Sequence, residues 1–227
     1  RGAVGGYGDV GGGEGCAVVV YCNNGVRREA VDLQDMMDYV RLRAAPVDGK
    51  RLELLWGWME RFEALVICTL ELKEEVVYPA VVAEGEGGEK LSNAALKNAY
   101  GGLFEVLNRM RDAKNDFLRK NFKVIAGEMC ESFQEGLGAL FAYFGAEEGL
   151  LEELPVAAID VKLRAAQWFT KKLKDPQEVV PVLLRPMDSG ERDAWLAEFV
   201  KSRRSIMTWV KNADAVRFSV PATFIGV

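Results

Sequence analysis

The chain contains no histidine. That removes the commonest transition-metal ligand and the commonest general base at neutral pH. Ser–His, Cys–His and histidine–zinc chemistry are therefore excluded within these residues. No apolar run approaches the length of a membrane span; CAVVVYC at 16–22 is far too short. No basic stretch precedes an apolar segment at the N-terminus, so no secretory signal is expected. No GxGxxG sits between a strand and a helix, and no GK[ST] occurs, which leaves nucleotide binding without support. The four cysteines (Cys16, Cys22, Cys68, Cys130) show no CxxC spacing. Two of them fall in expected helices, which favours reduced, packed thiols in an intracellular, reducing compartment, cytoplasmic or cytoskeletal, with an organelle as the open alternative. Cys16 and Cys22 would face each other only if their segment were extended. Basic residues are outnumbered, 29 against 34 acidic, for a net charge of −5. An acidic chain with an isoelectric point near 5.1 argues against a phosphate-binding surface, and hence against nucleic acid.

What is present reads as helix. With 49% hydrophobic residues in 227 positions, the chain can bury one substantial domain with a helical annex. Residues 1–15 carry eight glycines and read as a flexible leader. From Asn23 or Asn24, a natural N-cap, a helix is expected to about Arg43, with Val26, Ala30, Leu33, Met37 and Val40 at three-four spacing. The segment APVDG (45–49) ends it. A second helix should run from about Lys50 to Pro79 or a little beyond, followed by a glycine-rich loop at 83–90. A third covers about Leu91–Asp112. A fourth begins around Lys114–Phe117 and ends before Pro155. Long helices with short joints predict an all-α, antiparallel four-helix bundle over residues 16–155. Shorter helices at about 157–174, 177–186 and 189–212 form an expected C-terminal extension (156–212) packed on the bundle. Residues 213–227 have no helical period and read as an extended tail. The five tryptophans (Trp56, Trp58, Trp168, Trp195, Trp209) sit at helical positions and read as packing anchors. The Arg27–Arg28 pair reads as a solvated helix face.

Each expected bundle helix carries a polar interruption on an apolar stripe. In LELKEEVVYPAV (70–81), Glu71 and Glu75 lie one turn apart on a line that includes Ala64, Ile67, Cys68, Tyr78 and Val82. Lys73 and Glu74 are free to point elsewhere. The fourth helix reads Phe133, Leu137, Leu140, Tyr143, Glu147, Leu150, Leu154, and the third reads Leu96, Tyr100, Leu103, Leu107. Extending the first stripe backward from Val26 reaches Asn23. Such convergence in a bundle core is a common arrangement for a metal or cofactor site.

Three stretches, YCNNGVRREAVDL, ELKEEVVYPAV and YFGAEEGLLEELP, resemble the helix motifs of hemerythrin-like (HHE) domains, in order and spacing. The tail AQWFTKKLKDPQEVVPVLLRPMDSGERDAWLAEFVKSRRSIMTWV resembles the helical extension of some longer members. The resemblance covers roughly residues 17–210 and implies a four-helix bundle around a non-haem di-iron centre. The chain departs from that pattern at every histidine. Asn23 stands at the first, Glu71 at the second, Tyr100 (with Asn98 as a rival) at the third and Tyr143 at the last, while Glu75 and Glu147 keep the acids. The family's dioxygen and iron chemistry is not carried over.

Two fates follow for Asn23, Glu71, Glu75, Tyr100, Tyr143 and Glu147. The favoured one is a hydrogen-bonded, metal-free polar core, with hydroxyls and amide donating to carboxylates and crowding keeping one acid protonated. The alternative is an all-oxygen site for iron, Mn²⁺ or Ca²⁺ with a storage, sensing or oxidation role. A third possibility turns Glu71 and Glu75 to solvent. The leading expectation is a non-enzymatic structural or protein-interaction module with no cofactor, binding protein partners as a subunit of a larger assembly.

Overall fold

The computed structural model describes residues 14–42, 48–83, 93–118 and 122–152, together with 164, 165, 167, 168, 190 and 193. The leader before residue 14, the loop at 84–92, the tail and most of the C-terminal extension lie outside the described residues. Among the described residues every regular element is helical: α1 (Glu14–Leu42), α2 (Gly49–Leu72), a π-helical turn (Lys73–Val77), α3 (Tyr78–Ala83), α4 (Asn93–Asp112), a 3₁₀ turn (Lys114–Leu118) and α5 (Phe122–Glu152). The protein is all-α. α1 packs on α5 and α2, and α4 packs on α5.

The first helix departs from expectation. It starts by Glu14, so Asn23 is no N-cap; it sits mid-helix and fully buried. The segment holding Cys22 is helical, not extended. Val18, Val19, Val20, Tyr21 and Cys22 are all buried, and burying each large apolar side chain stabilises by about 1.5–3 kcal/mol. That outweighs the few tenths of a kcal/mol by which valine disfavours helix. α2 starts where Asp48, in extended conformation, accepts the backbone N–H of Arg51 at 2.9 Å. The same hydrogen bond, first, and then the Arg51 charge hold the Asp48 carboxyl below its usual range.

The fourth helix also starts later than expected. Lys114–Leu118 forms a separate 3₁₀ turn ahead of α5. It turns Phe117 into the core, edge-on to Trp56 with ring centroids 5.1 Å apart. Deeper in, Phe62 meets Phe133 edge-on at 5.8 Å, joining α2 to α5. Gly136 on α5 lets α4 come close: a Cβ there would stand 3.3 Å from the Leu103 Cα. Of the expected C-terminal helices, the described residues 164, 165, 167 and 168 are helical, with Ala165 and Trp168 buried.

Candidate functional site

The polar core is built around a residue that the sequence reading turned outward. Lys73 is fully buried, while Glu71, Glu74 and Glu75 are exposed. The buried line of this helix is Leu65, Val66, Thr69, Leu72, Lys73, Val76, Val77 and Ala80, at the three-four spacing of one helix face. Ile67, Glu71 and Glu75 form the opposite, exposed line. A local widening refines the register. Pro79 has no N–H to offer the Glu75 carbonyl, and its ring crowds that carbonyl. The helix passes this point through the π turn, in which the Tyr78 N–H donates to the Lys73 carbonyl. Five residues along an α-helix turn through about 140° beyond a full turn. A turn closed between residues five apart brings them back toward one face. Tyr78 is thereby buried on the Lys73 side.

Lys73 reaches across to two other helices. Its Nζ donates to Glu147 Oε2 on α5 at 2.6 Å and to Asn23 Oδ1 on α1 at 2.7 Å. The Asn23 amide nitrogen donates to Glu147 at 3.1 Å and to Glu148 at 2.8 Å. Glu147 Oε1 takes the Tyr78 hydroxyl proton donor at 2.5 Å, and the Tyr78 and Tyr143 oxygens lie 2.6 Å apart. Since the single Tyr78 proton faces Glu147, Tyr143 donates to Tyr78. Glu148 receives Arg27 in a fork, at 2.8 and 3.1 Å, and Arg27 also donates to Asn24 at 3.0 Å. Both arginine and carboxylate are buried, so Arg27 is no solvated helix face. Two cations thus meet two carboxylates, bridged by Asn23. The Phe144 ring contacts both cations, its centroid 4.3 Å from Lys73 Nζ and 5.4 Å from Arg27 Cζ. Tyr143 and Tyr100 complete an aromatic surround of the ammonium at 5.9 and 6.0 Å.

The surroundings keep the Tyr78, Tyr100 and Tyr143 phenols and the Cys22 thiol protonated at neutral pH. Burial first, then the Glu147 charge, raise the Tyr78 and Tyr143 hydroxyls above the usual phenol range. The same two causes raise Tyr100, whose buried hydroxyl has no hydrogen-bond partner. Burial pushes the Cys22 thiol up to about 12, with the Lys73 charge opposing and the Glu147 charge adding.

Of the six expected site residues, the structure brings Asn23, Tyr143 and Glu147 into one hydrogen-bonded network and places Tyr100 beside it. Asn98, the rival to Tyr100, is exposed. Glu71 and Glu75 are not members. Glu75 instead accepts the Trp168 indole N–H at 2.8 Å, tying the C-terminal extension to the far side of its helix. The residues that reasoning from sequence missed are Lys73, Arg27, Tyr78 and Glu148. The neutralisers of the buried acids are two cations, where a shared proton was expected. Lys73 was findable: it stands four residues after Thr69 and four before Val77.

A di-iron centre does not fit these donors. Among the described residues Glu147 is the carboxylate paired with the Lys73 ammonium, and that ammonium fills the position between Glu147 and Asn23 that a cation would need. Among the described residues, no three His, Cys, Asp or Glu side chains converge. Comparison of the chain with protein-family models, with curated proteins and with solved structures gives no match.

Proposed function

We propose that this chain is a non-enzymatic structural or interaction module, built as an antiparallel four-helix bundle of hemerythrin-like plan in which a lysine takes the place of the metal. The observation that carries this reading is the ion quartet: Lys73 with Glu147 and Arg27 with Glu148, all four buried and mutually neutralised. A core whose charges already cancel has no electrostatic demand for a further cation. The bundle arrangement is supported by which ends meet. Asn23, early in α1, bonds Glu147, late in α5, and Lys73, just past the end of α2. Among the described residues the free thiols of Cys22, Cys68 and Cys130 are buried, which suits packing groups in a structural core. The partner half of the proposal rests on the sequence alone, where the glycine-rich residues 1–15 and the residues 213–227, which lack a helical period, read as arms for a protein partner within a larger assembly.

Two measurements test it. Equilibrium dialysis of the purified chain against Fe²⁺, Mn²⁺ and Ca²⁺ should leave far less than one equivalent of each bound. A stoichiometric ion in the wild type, lost in Glu147→Gln, would establish the carboxylate metal site instead. Native gel filtration from the source cells should place the chain in a species well above its 25.1 kDa. Elution as the free monomer would remove the assembly role.

A further inference from the structure

The hydrogen-bonded pair Tyr78–Tyr143 has a property that neutralising charge does not require. An aromatic phenol gives up an electron readily only when its proton has somewhere to go, because the oxidised phenol is a strong acid. Tyr78 has such an acceptor: its hydroxyl donates to the Glu147 carboxylate at 2.5 Å, inside the core. Tyr100 is equally buried and has none. The indole nitrogens of Trp56 and Trp58 are likewise buried without an acceptor. Tyr143 is half-buried, 2.6 Å from Tyr78, and leads from the core toward solvent.

We propose that Tyr78 is a redox-active residue, oxidised by soluble one-electron oxidants to a protected phenoxyl radical. The oxidant takes one electron from Tyr78. The Tyr78 O–H bond breaks in the same step, and its proton passes to Glu147. The products are a neutral phenoxyl on Tyr78, a carboxylic acid at Glu147 and the reduced oxidant. Lys73 keeps its hydrogen bonds to Asn23 and to the acid, so the proton moves without rearrangement of the helices. The new radical oxygen then accepts two hydrogen bonds, from Glu147 and from Tyr143, while burial keeps other radicals and reductants away. Tyr143 is the positioning residue and the nearest route for the electron. The chemistry is that of a sink for oxidising equivalents such as peroxyl radicals.

The test is flash photolysis of the full chain with a ruthenium polypyridyl photo-oxidant and a sacrificial electron acceptor, read by phenoxyl absorption and electron paramagnetic resonance. The wild type should form a phenoxyl living at least about tenfold longer than that of Tyr78→Phe. Trp168→Phe, which removes another ring with a carboxylate partner, and Tyr39→Phe should leave that lifetime unchanged. Equal lifetimes in wild type and Tyr78→Phe would overturn the proposal, as would a wild type that forms no phenoxyl. Should Tyr78→Phe fail to fold, electron–nuclear double resonance on the wild type in D₂O decides. Two exchangeable deuterons at hydrogen-bonding distance are expected, one of them lost in Tyr143→Phe; a radical with none refutes the assignment.

Discussion

Replacing Lys73 with methionine isolates the central interaction, because the stem is kept and the ammonium is removed. Lys73 is fully buried and spans three helices, so its loss is not confined to one contact. Breaking a buried ion pair from one side typically costs about 3–5 kcal/mol, since the remaining charge stays buried. Asn23 Oδ1 loses its donor as well, at about 1–3 kcal/mol for a buried acceptor left unmade. A thioether against Phe144 returns about 0.3–1.5 kcal/mol. The net loss is about 5 kcal/mol, a large part of the roughly 5–15 kcal/mol that holds a typical domain together. For a chain of this length that lowers the melting midpoint by about 10–20 °C. Urea melts followed by circular dichroism measure it, with Glu147→Gln and the double variant completing a cycle. Glutamine at 147 still accepts from Tyr78 and offers its amide to Asn23. The double variant should therefore recover about 2 kcal/mol relative to the sum of the singles. A loss under about 1 kcal/mol for Lys73→Met, or strict additivity in the cycle, would show that the ion pair does not hold the core.

Other consequences follow from single features. Cys22 keeps its proton to about 12 when folded, against an ordinary value of 9.0, so above 9.0 the unfolded state binds fewer protons and stability falls as pH rises. Alkaline urea melts should lose up to about 4 kcal/mol from this thiol across that window, and Cys22→Ala should flatten the slope by about 1.4 kcal/mol per pH unit. Gly138→Ala, with nothing near the new methyl, should stabilise by about 0.5–1 kcal/mol, whereas Gly136→Val presses on the Leu103 backbone and should destabilise by about 1–3 kcal/mol in thermal melts. Phe144→Leu keeps an apolar side chain but removes the π system that contacts Lys73 and Arg27. It should cost about 1–3 kcal/mol in the wild type and less in Lys73→Met, a difference visible in denaturant midpoints.

Helix content was legible because the three-four apolar spacing is strong along α2, α4 and α5, and Leu103, Leu107, Phe133 and Leu140 are buried as their stripes required. The ambiguity lay in α2, which is apolar on two sides. Reading the line through Ile67, Glu71 and Glu75 as inward reversed the inside and outside of LELKEEVVYPAV, whose buried line runs through Thr69, Lys73 and Val77. A lysine is almost never fully buried without a partner, so pattern alone argues against it. Its partners Asn23 and Glu147 are 50 and 74 residues away, and only the tertiary structure brings them near. The start of α1 was misjudged for a related reason. Asparagine is a strong capping signal, and at position 23 its amide is spent on α5 carboxylates instead.

The ion quartet also bears on why the helices settle in one alignment. Apolar stripes tolerate sliding: moving α5 along α1 by one turn, about 5.4 Å, exchanges one leucine for another with little change in buried area. The polar positions do not allow it. After such a shift Glu147 would lose Lys73 and Asn23, Glu148 would lose the Arg27 fork, and four charges would stay buried without partners. Each broken pair costs several kcal/mol, more than any regained packing supplies. Phe144 adds to this, since its ring contacts both Lys73 and Arg27. The same alignment places the Tyr78 hydroxyl against Glu147, so the geometry that fixes the fold also fixes the proton path.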